Sequence, residues 1–171
     1  AVVIQKMVNS EKSGIAFSVH PVTEDHNQMI IEAGLGLGEA IVSGSVTPDS
    51  YVVTKDPQEI IDINVNIQTK ALYRTTTKGD HGFNEWRNLS GVEANQQVLD
   101  TAQIIELANI IERIENHYGF PCDIEWAYED STFYIVQSRP ITTLKTAMKD
   151  LSVLDRITNL AWKKEWAGNW S

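Results

Sequence analysis

The chain lacks the features that mark secreted and membrane-spanning proteins. It has one cysteine, Cys122, so no disulfide can form within it, which is typical of proteins from the reducing cytoplasm. It also lacks an apolar run of about 18 residues, the length that a membrane-spanning helix needs. The sequence therefore predicts a cytoplasmic protein without a membrane partner.

Positive charge is also scarce. The chain has 14 Lys and Arg residues against 23 Asp and Glu residues, which gives a net charge of −9. Because binding of nucleic acids depends largely on Lys and Arg at phosphates, this balance argues against DNA or RNA as a partner. It does not argue against a nucleotide, which a few local donors and Mg²⁺ can hold.

The length of 171 residues and the hydrophobic content of 42% are typical of one globular domain. Short stretches of apolar, β-branched or alternating residues predict strands. They are 1–8, 13–20, 28–33, 50–54, 59–68, 122–128 and 133–139. A glycine-rich stretch at 34–38 precedes a short predicted helix at 39–43, and we interpret the polar stretch 75–91 as a loop.

The clearest helix prediction covers residues 100–118. Asp100 is a suitable N-cap, and Gln103 stands at the position of its capping-box partner. Apolar residues recur at helical spacing along one face, and Gly119 is placed to end the helix. The sequence therefore predicts an amphipathic helix that packs on the rest of the domain.

The last two predicted strands form a hairpin with one polar face. Side chains alternate along a strand, so Asp123 and Glu125 share one face, as do Gln137 and Arg139 on the next strand. The opposite faces carry the apolar residues Ile124, Trp126, Tyr134 and Val136. Burial of those apolar faces predicts a register that pairs Asp123 with Arg139 and Glu125 with Gln137.

The polar face of the hairpin has two interpretations. Glu125 and Gln137 offer oxygen ligands of the kind that Mg²⁺ takes, and Arg139 could then clamp a phosphate. Alternatively, Asp123 and Arg139 form an ordinary cross-strand ion pair, worth about 0.2–1 kcal/mol. The residue pattern alone leaves both interpretations open.

Three runs of the sequence together resemble the dikinase branch of the ATP-grasp proteins, the family of phosphoenolpyruvate synthase, pyruvate phosphate dikinase and rifampicin phosphotransferase. They are VVIQKMVNSEKSGIAFSVHPVT, IIEAGLGLGEAIVSGSVTPDSYVV and DIEWAYEDSTFYIVQSRP, in the order found in the family. The likeness covers residues 1–144, and the second run is most similar to phosphoenolpyruvate synthase. It implies the distal half of an ATP-grasp domain, an α+β fold with a mainly antiparallel sheet and packed helices.

The resemblance also implies roles for individual residues. Glu125 and Gln137 match the metal ligands, Arg139 matches a catalytic contact to the phosphate, and Asp123 supports the same site. The residues implied at the nucleotide are Gln5, Met7 and Glu39. By the pattern alone, Gln5 and Met7 could be ordinary strand residues, and Glu39 a favourable residue at a helix N-terminus. The glycine-rich stretch is spaced as GxGxG and matches neither GxGxxG nor a P-loop.

The activity implied by the resemblance is that of phosphoenolpyruvate synthase, in which ATP, pyruvate and water give AMP, phosphoenolpyruvate and phosphate. The chain would be a fragment carrying part of the Mg-ATP site and would be inactive alone. Its implied partners are the proximal ATP-grasp subdomain, the phosphohistidine swivelling domain and the pyruvate-binding domain of a longer protein. Residues 145–171, which include Trp162, Trp166 and Trp170, would form a linker or terminal helix toward the swivelling domain.

Two alternatives to this function remain. The first is the ATP-binding part of a related phosphotransferase, such as rifampicin phosphotransferase, which shares the ATP-binding half. The second is a non-catalytic module that binds a nucleotide or docks another domain. The intact set of Asp123, Glu125, Gln137 and Arg139 argues against a degenerate copy that cannot bind.

Overall fold

The computed structural model describes residues 2–79 and 82–144, so the predicted linker at 145–171 lies outside the described residues. The described part forms eight strands and three helices. The strands are β1 (Lys12–Phe17), β2 (Gln28–Leu35), β3 (Asp49–Thr54), β4 (Glu59–Asn64), β5 (Lys70–Gly79), β6 (Gly82–Asn88), β7 (Cys122–Glu129) and β8 (Thr132–Pro140). The helices are α1 (Glu39–Val42), α2 (Gly91–Asn95) and α3 (Thr101–Tyr118).

Six strands form one sheet in the order β4-β3-β2-β1-β7-β8, and each pair of neighbours is antiparallel. Strands β5 and β6 form a separate antiparallel hairpin. The predicted α+β fold with a mainly antiparallel sheet is confirmed. The described residues up to Pro140 form one compact unit.

Helix α3 forms as predicted because both of its ends are capped. The Asp100 carboxylate accepts a hydrogen bond from the Gln103 amide at 2.8 Å, and the Gln103 side chain accepts one from the Asp100 amide at 3.2 Å. Gly119 ends the helix at φ 74°, a left-handed conformation that suits glycine. The buried face of the helix belongs to the main core and consists of Ile104, Leu107, Ala108 and Ile111.

Alternation of side chains gives the six-stranded sheet two different faces. Ala16, Ile31 and Ile124 are fully buried and share the core with α3. Their neighbours along the same strands point to the opposite side, which we call the site face, and are only partly buried. Residues of the site face in the central strands are Ile15, Phe17, Ile30, Glu32 and Val52. The core thus fixes which side chains the sheet presents on its other side.

Two predicted elements differ in the structure. Residues 2–10 form no strand, and the side chains of Val2, Val3 and Ile4 are 91%, 85% and 94% exposed. Apolar, β-branched composition predicts a strand only where another strand accepts its backbone hydrogen bonds, and the segment has no such pairing. The stretch 75–91, interpreted as a loop, instead contributes to the β5–β6 hairpin. Its outer part is exposed and polar, so it lacks the apolar alternation that predicts a strand.

The apolar face assigned to β8 was also wrong. The register shifts between Glu125 and Trp126, because Trp126 pairs with Ile135 and not with Val136. Phe133 and Ile135 therefore pack against the core, whereas Tyr134 is 41% exposed. Val136 is the extra residue of this β-bulge. The bulge leaves the polar pairs on the Pro140 side of it in the predicted register.

Asp49, at the start of β3, fixes two distant segments to the sheet. Its carboxylate is fully buried and accepts hydrogen bonds from the Val98 amide at 2.8 Å, the Asn66 amide at 2.9 Å and the Tyr51 hydroxyl at 3.0 Å. These contacts hold the chain before α3 and the chain after β4. Asp49 is therefore a structural residue and not part of a binding site.

We expect Asp49→Asn to lower the free energy of unfolding by about 2 kcal/mol, because one buried donor then loses its charged acceptor. The change would be measured as a shift of the urea midpoint at unchanged slope. Asp62→Asn, at an exposed position of β4, is the control and should leave the midpoint in place. Equal midpoints for the two variants would contradict the anchoring role of Asp49.

Candidate functional site

The β7–β8 hairpin brings its four polar residues together in the predicted register. Asp123 lies opposite Arg139, and Glu125 lies opposite Gln137. The Arg139 guanidinium donates to Asp123 Oδ2 through Nε at 2.8 Å and through Nη2 at 2.7 Å. The ion pair expected from the alternative interpretation therefore forms. It does not exclude a phosphate contact, because the Arg139 side chain is 63% exposed and an arginine carries five N–H donors.

A cavity of about 390 Å³ lies beside this hairpin. Four residues predicted from the sequence line it together: Gln5, Met7, Glu39 and Glu125. They come from three separate parts of the chain, the N-terminal segment, the start of α1 and the middle of β7. The structure thus brings the residues implied at a nucleotide next to one residue implied at a metal.

The remaining predicted residues are not among those that line the cavity. Gln137 lies across from Glu125, and Asp123 and Arg139 lie one pair further along the strands. The polar row therefore runs from the cavity along the hairpin. This arrangement can hold a ligand that is partly apolar at one end and anionic at the other, with the anionic end over the hairpin.

The walls of the cavity are held by backbone and hydroxyl contacts. The Ser13 hydroxyl donates to the Gly36 carbonyl at 2.6 Å and fixes the glycine-rich stretch against β1. Gly36 has a φ of 78° and lies directly against the Leu72 carbonyl, where a side chain has no room. On the other side of the cavity, the side-chain amide of Gln5 donates to the Val136 carbonyl at 3.3 Å. The close approach of the Gly36 and Leu72 backbones requires glycine at position 36.

The β-bulge contributes to the cavity. Val136, the extra residue, lines it together with residues such as Lys6, Ser13, Gly38 and Val42. Sequence reasoning missed Val136 because a bulge interrupts the alternation that was used to assign faces. Bulges often occur next to functional sites, where they redirect a side chain.

Glu32 is a further acidic residue that sequence reasoning missed. It lies opposite Ile15, which in turn lies opposite Glu125, so the three share one cross-strand row on the site face. Partial burial raises the pKa of the Glu32 carboxyl above its ordinary value. The sequence signal that could have placed Glu32 on the site face is the alternation in β2, where Met29, Ile31 and Ala33 are fully buried.

The donor set of the hairpin suits a hard divalent cation. Glu125 supplies a carboxylate and Gln137 an amide oxygen at directly opposed positions, and Mg²⁺ commonly takes one or two protein oxygens besides phosphate and water. The part of the chain that the structure describes contains no group of three or more His, Cys, Asp or Glu residues that could hold a metal ion.

Comparison with known proteins identifies related chains. A family model for the pyruvate phosphate dikinase AMP/ATP-binding domain matches residues 1–156. The chain is 48% identical over 147 residues to the phosphoenolpyruvate synthase of Pyrococcus furiosus. The aligned residues make up 84% of this chain and 18% of that protein. The chain is 45% identical over 150 residues to the probable phosphoenolpyruvate synthase of Methanocaldococcus jannaschii, covering 88% and 12%.

The rifampicin phosphotransferase of Bacillus subtilis is also similar, at 43% identity over 144 residues, covering 84% of this chain and 16% of that protein. The chain thus spans about a fifth or less of the length of the relatives named here.

Among the described residues, none of the helices has the length and apolar character needed to cross a membrane.

Proposed function

Because the chain belongs to the pyruvate phosphate dikinase AMP/ATP-binding domain family, we propose that it carries part of the Mg-ATP site of a phosphoenolpyruvate synthase. In the longer protein, ATP, pyruvate and water would give AMP, phosphoenolpyruvate and phosphate. The observation that supports this most directly is the cavity shared by Gln5, Met7, Glu39 and Glu125. It joins the polar hairpin to the glycine-rich stretch, as a site for one extended nucleotide requires.

The adenine end of ATP would lie in the cavity. Met7 is 51% exposed and offers an apolar surface for the ring, and the backbone of the segment around it can hydrogen-bond the ring edge. Gln5 is held by the Val136 carbonyl and closes the side next to β8. Glu39 stands at the start of α1, lines the same cavity and would face the nucleotide.

Glu125 and Gln137 would hold Mg²⁺ over the hairpin. When bound, the cation would offset the negative charge of the phosphates. Both side chains stand on strands of the six-stranded sheet, which limits their movement. The protein's own contribution is thus to hold Glu125 and Gln137 at directly opposed backbone positions before the nucleotide arrives.

Arg139 would contact the phosphate that is transferred. Its Nε and one Nη donate to Asp123, so the guanidinium is already oriented before a ligand binds. The N–H groups not used by Asp123 can donate to phosphate oxygens and stabilise charge that develops during transfer. Asp123, at 14% side-chain exposure, serves as the support that orients Arg139.

Two other functions are distinguishable by experiment. The similarity to rifampicin phosphotransferase supports an antibiotic as the alternative acceptor, and a non-catalytic nucleotide-binding or docking module is the third possibility. The full-length protein would be incubated with ATP and Mg²⁺ and either pyruvate or rifampicin. We expect AMP and phosphoenolpyruvate from pyruvate. Phosphorylation of rifampicin alone would support the second function, and no product with either acceptor would support the third.

The isolated 171-residue chain is expected to bind Mg-ATP weakly and to catalyse nothing. The chain spans about a fifth or less of the proteins it resembles, and its site face is only partly buried, so we propose that another subdomain completes the site. Isothermal titration calorimetry would measure this affinity, with the Glu125→Ala chain as control. Submicromolar binding by the isolated chain would contradict the proposal of a shared site.

A further inference from the structure

The β5–β6 hairpin differs in charge from the rest of the chain. The sequence 70–88 contains four cationic residues, Lys70, Arg74, Lys78 and Arg87, and two acidic residues, Asp80 and Glu85, for a local charge of +2. The whole chain has a net charge of −9. The hairpin is thus a positive projection on an acidic protein.

The base of the hairpin is attached to the wall of the nucleotide cavity. The Leu37 amide donates to the Leu72 carbonyl at 2.7 Å, and the Leu72 side chain packs with Leu37 and Ala40. The Asn84 side chain donates to Glu39, a residue of the cavity, at 3.4 Å. The hairpin therefore stands beside the cavity, and its position is set by the same α1 that lines it.

The cations of the hairpin divide into two groups. Lys70 lies over the Trp86 ring at 4.6 Å and Arg87 over the Tyr73 ring at 4.9 Å, so these two stack across the hairpin and stiffen it. Arg74 and Lys78 lie further out and are exposed. Arg74 is directly opposite Asn84, so it extends from the side of the hairpin that contacts Glu39.

Arg74 also reaches toward the N-terminal segment. With Thr75, Thr76, Phe83 and Asn9 it lines a surface depression of about 490 Å³. Asn9 lies between Val8 and Ser10, which both line the nucleotide cavity. The outer hairpin and the cavity therefore share one rim, formed by residues 8–10.

We propose that the outer β5–β6 hairpin is a cationic arm, with Arg74 and Lys78 as its charges, that captures the polyphosphate of incoming Mg-ATP before it enters the cavity. This inference rests on the proposed nucleotide site and adds a step to it. Glu39 and Glu125 in the cavity repel an anion as it approaches. A positive arm on the rim offsets that repulsion within a Debye length, about 10 Å at 0.1 M salt.

Such an arm changes the rate of association more than the stability of the complex. Charges that steer an anionic ligand typically raise association rates by about 10 to 1000-fold, and the effect falls steeply with ionic strength. Dissociation is set by contacts inside the cavity, which the outer hairpin does not make. Removal of the charges of the arm is therefore predicted to slow association at low salt and to leave the dissociation rate unchanged.

The test uses the full-length protein, a fluorescent methylanthraniloyl-ATP with Mg²⁺, and stopped-flow mixing at low and high salt. The variant is the double charge reversal Arg74→Glu with Lys78→Glu. The control is the charge reversal Arg113→Glu at an exposed position of α3, which the single variant Arg74→Glu matches in charge change. We expect the hairpin variant to associate about tenfold more slowly at low salt, with a difference that shrinks as salt is raised.

Two results would overturn the inference, and a third would overturn the proposed function on which it rests. Association of the hairpin variant at the rate of the parent and the control would show that the arm steers nothing. A faster dissociation with unchanged association would assign Arg74 and Lys78 a contact in the bound complex. A parent protein that binds no nucleotide would instead overturn the proposed function itself, since the inference depends on that site.

Discussion

The full-length protein with Arg139→Ala is expected to lose about a thousandfold in the rate of ATP-dependent phosphorylation. Arg139 is the exposed cation of the hairpin, and Asp123 fixes its guanidinium through contacts at 2.7 and 2.8 Å. Removal of the side chain takes away the charge that would stabilise the transferred phosphate. Arg139→Lys keeps the charge but loses the planar fork, so we expect only partial recovery.

Glu125→Ala is expected to have an effect of the same size, because Glu125 is the one carboxylate that both lines the cavity and faces Gln137. The activity of each variant would be followed by formation of AMP, and the fold by circular dichroism. Glu106→Ala, exposed on α3, is the matched control and should retain parental turnover. Parental turnover in the Arg139→Ala or the Glu125→Ala protein would refute the assignment of the hairpin.

Gly14→Ala is expected to lower the free energy of unfolding by about 3 kcal/mol, the largest stability effect that we predict. A Cβ at Gly14 would overlap the Glu32 carbonyl oxygen and would lie 2.7 Å from Trp126 Cζ2. The carbonyl belongs to the neighbouring strand of the sheet and cannot rotate away as a side chain could. β1 would have to separate from β2, and the core around Trp126 would have to repack.

Thermal unfolding of the 171-residue chain would measure this loss. Gly79→Ala, at the end of β5, is the control, because a Cβ there meets no atom within 4 Å and its φ is ordinary. We expect the control to unfold near the temperature of the parent. Equal unfolding temperatures for the two variants would mean that the sheet adapts at Gly14 at little cost.

The parts of the fold that sequence predicted are those governed by local patterns. Helix α3 has a capping box at Asp100, an apolar face and a terminal glycine, and all three signals agree with the structure. The pairing of Asp123 with Arg139 followed from alternation and burial alone. The strand predicted at 1–8 failed because strand formation depends on a partner, which composition does not reveal. The β5–β6 hairpin was missed because most of it packs against nothing that would impose apolar alternation.

The candidate site was predictable in a similarly uneven way. Alternation supplied the polar face of the hairpin, but it left both a metal site and a plain ion pair open. Gln5, Met7 and Glu39 were named through a family resemblance, and the structure brings them to one cavity with Glu125. Val136 and Glu32 were missed, since one depends on a bulge and the other on a cross-strand row through Ile15. Both depend on pairing between strands that are far apart in sequence.

The bulge after Glu125 divides the β7–β8 hairpin into two stretches whose side chains pair with different kinds of residue. Between the bulge and the tight turn, Phe133 and Ile135 are paired with core residues of β7. Substitutions at these two positions should therefore covary with substitutions at their partners on β7. On the Pro140 side, Gln137 and Arg139 are paired with two carboxylates, so substitutions should covary with those acids. Among homologous sequences, we expect two independent blocks of covariation along what looks like one continuous strand.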